Sequence, residues 1–106
     1  MITITHKKTP DERCVYITGK EDNKVVSAYL AATLGIFKWL LLDLVDEENQ
    51  LIENKQEIVT EDEFLLSFRT DDKSVLMRFD GISKGFMVLK ERLGDGVEYI
   101  LEEEVT

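Results

Sequence analysis

Residues 25–45 read VVSAYLAATLGIFKWLLLDLV, the longest apolar run in the chain, interrupted only by Ser27, Thr33, Lys38 and Asp43. Asp46-Glu47-Glu48 follows directly. Asp22-Asn23 offers an N-cap, so the sequence predicts a helix from about Lys24 to Val45, roughly 33 Å long at 1.5 Å per residue. Projected at 100° per residue, Val26, Tyr29, Leu30, Leu34, Phe37, Leu40, Leu41 and Leu44 share a broad bulky arc that asks for a sheet to cover it. Opposite runs a narrow stripe of Ser27, Ala28, Ala31, Gly35, Lys38 and Leu42, mostly small, which permits another backbone or a second copy to come close.

Twenty-one residues also suffice to span a bilayer, and Ala28/Ala32 and Ala31/Gly35 have small-xxx-small spacing. Lys38 in mid-run would cost about 3 kcal/mol there, and no basic flank orients insertion. A water-soluble core helix is the preferred reading.

Outward from this helix, Ile2–His6 alternates with β-branched residues, and Cys14–Thr18 repeats the pattern after Thr9-Pro10-Asp11-Glu12, a turn with proline at a preset φ. These form an N-terminal hairpin. Beyond the helix, Gln50–Glu53 against Gln56–Thr60 reads as a short hairpin turning at Asn54-Lys55, with a helical extension as the competing reading. Phe64–Arg69 and Ser74–Phe79 flank Thr70-Asp71-Asp72-Lys73 as a second hairpin, with Phe64, Leu66 and Phe68 on one face and Val75, Met77 and Phe79 on the other strand's face. The alternative is a capping box at Thr60–Glu63 that opens a helix. Phe86–Leu93, turning at Gly94-Asp95-Gly96 into Val97–Glu102, completes the set. Ile82, Phe86, Leu89 and Leu93 also fit helical spacing, with Lys90 and Arg92 in a last turn and Gly94 as a stop. The expected fold is one α+β domain over 1–106: an N-terminal hairpin, one long helix and an antiparallel meander packed on it.

The net charge is −9 over 106 residues. Residues 43–63 hold nine acids against Lys55 alone, and carry nearly all of the imbalance. Such a surface repels nucleic acid and anionic membranes and attracts basic proteins. Asp43, Asp46, Glu47 and Glu48 also fall where the helix macrodipole is already negative, a local rule broken without local gain unless the helix runs further.

Chemistry is sparse. His6 is the only histidine and reads as a surface residue; Cys14 is the only cysteine and reads as a small buried hydrophobe. With one cysteine there is no internal disulfide, and the N-terminus lacks a signal peptide's apolar core, so the expected compartment is cytoplasmic. No metal-ligand spacing, cofactor loop or phosphate loop occurs. The reading is a non-enzymatic binding protein without cofactor or metal, of the inhibitor or immunity type. Asp43, Asp46, Glu47, Glu48, Glu53, Glu57, Glu61, Asp62 and Glu63 face a basic protein partner, without direct contact to nucleic acid or membrane. The alternative is an assembly module that dimerises through Ser27, Ala31, Gly35 and Lys38.

Overall fold

A computed structural model describes residues 1–20, 22 and 24–104; the side chain of Val26 and the expected cap residue Asn23 lie outside the described part. The order is β1 (Ile2–Lys8), β2 (Glu12–Gly19), α1 (Lys24–Glu47), β3 (Glu53–Val59), β4 (Glu63–Arg69), α2 (Lys73–Leu93) and β5 (Val97–Glu103), with single 3-10 turns at Asn49–Leu51 and Gly94–Gly96. The five strands form one sheet in the order β3-β4-β2-β1-β5. The fold is α+β, with the N-terminal hairpin and the long helix where the sequence places them.

The sheet is mixed. β1/β2, β2/β4 and β3/β4 are antiparallel, but β1/β5 is parallel. It follows that β3 runs parallel to β2, and β5 parallel to β4. Parallel strands cannot be joined by a tight turn and need a crossover. α1 makes the crossover from β2 to β3, and α2 the one from β4 to β5. That is why the chain needs two helices, and why a meander is not what forms. The helices run antiparallel to each other.

The second helix replaces two expected strands, Ser74–Phe79 and Phe86–Leu93. Asp72 caps it by accepting a hydrogen bond from the Val75 amide at 3.0 Å, and Gly94 ends it at φ 59°. Val75, Leu76, Phe79, Ser83, Phe86 and Leu89 are its buried residues, a helical stripe. Met77, expected inward with Val75 and Phe79, is 73% exposed. The 50–60 hairpin is also corrected. Those residues form the 3-10 turn and one edge strand, in which Asn54 at φ 56° marks a register shift rather than a reversal. Thr60–Glu63 is no capping box. It is the β3–β4 turn, closed by Thr60 N–H to Glu63 O at 2.9 Å and by Glu63 N–H to Thr60 Oγ1 at 3.1 Å.

The core lies between the sheet and the two helices. Ile4, Val15, Ile17, Phe64, Leu66, Phe68 and Val97 meet Leu30, Leu34, Leu41, Leu44 and Val45 of α1 and Val75, Phe79, Phe86 and Leu89 of α2. α1 is rotated relative to the expected arc. Tyr29 and Leu40, placed inward by the projection, are half exposed.

Candidate binding surface

The acids of 43–63 lie along one edge of the molecule. α1 ends at Glu47, so the helix does not run on to place these acids in its middle. Instead α2, antiparallel beside it, brings Arg78 to that terminus, with Nη1 donating to Glu48 at 3.1 Å and Nη2 to Glu47 at 3.4 Å. The Arg78 guanidinium supplies positive charge where the carboxyl-terminal dipole of α1 disfavours acids.

From there β3 carries the edge onward. All seven of its residues are exposed and only β4 pairs with it, so its outer backbone groups face solvent. Lys55 lies 3.8 Å from Asp46 and 3.7 Å from Glu57. At the far end, about 20 Å along the strand, the β3–β4 turn presents Glu61, Asp62 and Glu63. Asp62 faces Lys20 at 3.7 Å, and Glu63 accepts from the Tyr16 hydroxyl at 3.1 Å. Asp43 and Glu61 make no ion pair among the described residues.

Beside that turn, a cleft of about 470 Å³ opens between α1 and the sheet end. It is lined by Thr18, Gly19, Lys20, Ser27, Ala31, Lys38 and the 60–63 turn, with Ile2, Ile17, Leu30 and Leu34 below. Lys38 is half buried, with its ammonium 5.6 Å from the centre of the Phe64 ring. Burial pushes its pKa down. The small-residue stripe is thus divided. Ser27, Ala31 and Lys38 line this inner cleft, while Ala31 and Gly35 also line a shallow groove on the outer side of α1.

Two sequence readings are corrected here. His6 is not a surface residue. It is 3% exposed, pointing toward α2, with Nδ1 3.0 Å from the Tyr99 hydroxyl. Burial, which outweighs nearby Asp80, lowers its pKa to about 4. Next to it Arg13, 7% exposed, holds Asp80 through two bonds of 2.7 and 3.0 Å, and Lys8 adds a third contact at 3.3 Å. Burial raises the Asp80 carboxyl, but Arg13 and then Lys8 outweigh it and hold the pKa below the usual range. Cys14 is not a core residue but half buried. Alternation along β2 turns it to the face away from the helices, opposite His6, so the two cannot form a thiol–imidazole pair. Burial raises the thiol pKa, which disfavours a reactive thiolate.

In the cleft, Ser27 and Lys38 lie on one helix face but eleven residues apart, about 16 Å along the axis. That is too far for the amine to take the hydroxyl proton. Among the described residues, no three or more His, Cys, Asp or Glu converge as a metal site.

No family model and no curated protein matches this sequence. Solved structures do match its shape. The Streptococcus mutans protein SMU.848 superposes with a TM-score of 0.75 at 14% identity, over 98% of this chain and 99% of that one. Two structures of the essential ribosomal processing protease Prp from S. aureus also match. The one with a covalently linked product peptide gives TM-score 0.63 at 12% identity, over 96% and 100% of the two chains. The one with a substrate peptide gives 0.59 at 15%, with the same coverage. At these identities the likeness establishes the fold. That fold is one on which a protease is built.

Sequence reasoning missed Arg78, Lys20 and the Arg13–Asp80 pair. The partners lie 30 to 67 residues apart, and no local pattern links them.

Proposed function

We propose that this chain is a non-catalytic binding protein of the inhibitor or immunity type. Its acidic edge, from the end of α1 along β3 to the 60–63 turn, holds an extended basic segment of a partner protein. The observation that carries this reading is an edge strand, exposed at every residue, in the middle of a window with nine acids and one base. A peptide laid along such an edge gains backbone hydrogen bonds from the strand and specificity from its side chains. Lys55 and the irregular step at Asn54 guard the start of the strand against self-pairing. Gln56–Val59 is left as the regular stretch. The acids at both ends then select lysine and arginine.

The Prp structures lend this reading a precedent of shape, since a protein of the same fold accommodates a peptide. The peptidase chemistry is not carried over. Ser27 and Lys38 of the cleft lie too far apart to act as a nucleophile–base pair, and the sole cysteine and histidine lie on opposite sheet faces.

The test is fluorescence anisotropy with a labelled eight-residue peptide of alternating lysine and valine, against the same peptide with glutamate for lysine. The lysine peptide is expected to bind the wild type and to lose at least tenfold in affinity on Glu53→Lys/Glu57→Lys/Glu61→Lys. It should weaken as salt rises, because exposed charges are screened within about 8 Å at physiological ionic strength. Equal binding of both peptides, or insensitivity to the triple reversal, overturns the reading. Cleavage of the lysine peptide would overturn its non-catalytic half.

A further inference from the structure

We propose that two copies of this chain associate through the outer face of α1, packed antiparallel about a two-fold axis near residues 33 and 34. The face is a product of the rotation described above. The residues turned farthest from the core are Val25, Ala28, Ala32, Gly35, Ile36 and Trp39, flanked by Tyr29 and Leu40. In a helix that meets only water this arc is polar. Here Val25 is 80% exposed, Trp39 74% and Ile36 61%, with Tyr29 and Leu40 near half. These five side chains expose roughly 600 Å² together, approaching the ~800 Å² per partner of a standard interface before the alanines are counted. Patches of that size mark an interaction site. Within one copy only Leu30, Leu34, Leu41, Leu44 and Val45 of Ser27–Glu47 are buried.

Size and charge select the occupant and its direction. A groove of about 560 Å³ runs between Ala31, Ala32, Gly35, Ile36, Trp39, Leu40 and Asp43. An antiparallel copy centred between residues 33 and 34 sets Trp39 against Ala28 and Gly35 against Ala32. Each bulky residue then meets a small one, and the backbones approach closely at the centre. The same register brings Lys24 at one end opposite Asp43 of the second copy. Neither residue has an ion-pair partner within its own chain among the described residues. A parallel arrangement would stack Trp39 on Trp39 and Asp43 on Asp43, with like charges adjacent. At Gly35 an added Cβ would meet nothing within 4 Å in one copy, so that glycine is not required by the monomer.

The test uses the full chain. Sedimentation equilibrium from 1 to 300 μM should give a dimer mass at the upper end. Trp39→Glu should give a monomer, with the far-UV circular dichroism unchanged because the side chain is outside the core. Direction is read by disulfide trapping in a Cys14→Ser background. Ala28→Cys mixed with Trp39→Cys should crosslink on oxidation far more than Ala28→Cys alone. A Lys24→Asp chain and an Asp43→Lys chain should each dimerise weakly and recover when mixed. A monomer at every concentration overturns the proposal, as does a dimer that survives Trp39→Glu. Trapping of Ala28→Cys with itself overturns the antiparallel register. Co-flotation of the wild type with neutral phosphatidylcholine vesicles, lost in Trp39→Glu, would assign the face to lipid and overturn it too.

Discussion

Asp80 accepts two hydrogen bonds from a nearly buried Arg13 and lies within 3.3 Å of Lys8, while His6 sits neutral beside it, its Nε2 4.0 Å from Asp80 and without a hydrogen-bond partner among the described residues. This cluster ties β1 and β2 to α2, and its polar groups depend on one another. Removing one partner of a buried ion pair leaves the other uncompensated, at a cost of about 3 kcal/mol. Asp80→Ala should therefore lower unfolding stability by about that much in urea melts, and Arg13→Ala by a similar amount. Their double variant should lose much less than the two together. The histidine adds a pH dependence of definite sign. Its folded pKa of about 4 lies below the ordinary 6.5. Its contribution is complete above pH 6.5. As pH falls from about 6.5 to about 4, the unfolded chain takes up a proton that the folded chain refuses, and up to roughly 3 kcal/mol of stability is lost. Urea midpoints at pH 7 and pH 4.5 should differ in the wild type, and by clearly less in His6→Gln. None of this was legible in the sequence. Nothing local connects residue 13 with residue 80.

Elements were legible where a long apolar run or clean alternation leaves little choice. α1 runs from Lys24 to Glu47, within two residues of its expected end, because a long apolar run broken only by Ser27, Thr33, Lys38 and Asp43 admits little else. The β1–β2 hairpin follows from β-branched alternation around Pro10. α2 departs from expectation because Ser74–Phe79 alternates well enough for a strand. Its signals are Asp72 as a cap and the 75-76-79-83-86-89 spacing, which spans both expected strands. What the sequence could not supply is how the helices meet. Phe37 of α1 packs edge-on against Phe86 at 5.5 Å, over Gly85, where an added Cβ would run into the Phe37 ring. Gly85→Ala should thus destabilise by about 1–3 kcal/mol from overpacking, net of the roughly 1 kcal/mol a helical alanine otherwise gains. Gly35→Ala, in open space, should instead be neutral or stabilising by up to about 1 kcal/mol at concentrations where the chain is monomeric. Thermal melts of the two variants side by side check both.

At the scale of the molecule, the two crossovers place both helices on one sheet face, α1 near the β3–β4 edge and α2 near β1 and β5. The parallel β1–β5 pair joins strands about ninety residues apart in sequence, so short-range patterns carry no trace of it. The charge imbalance, by contrast, was plain from composition, and the fold arranges it along one edge, on a strand paired on one side only. Burial inside the acidic edge is slight, and its charges are only partly neutralised by Arg78, Lys55 and Lys20. The proposed binding by this edge should therefore be weak at high salt and tight at low salt. The most direct measurement is backbone amide hydrogen exchange with and without the alternating lysine–valine peptide, at 50 and 500 mM salt. Added protection concentrated in Glu53–Val59 at low salt and lost at high salt is the expected result. Protection confined to β5 or to the cleft around Lys38, or absent from β3 at both salts, would contradict the assignment of the acidic edge as the binding surface.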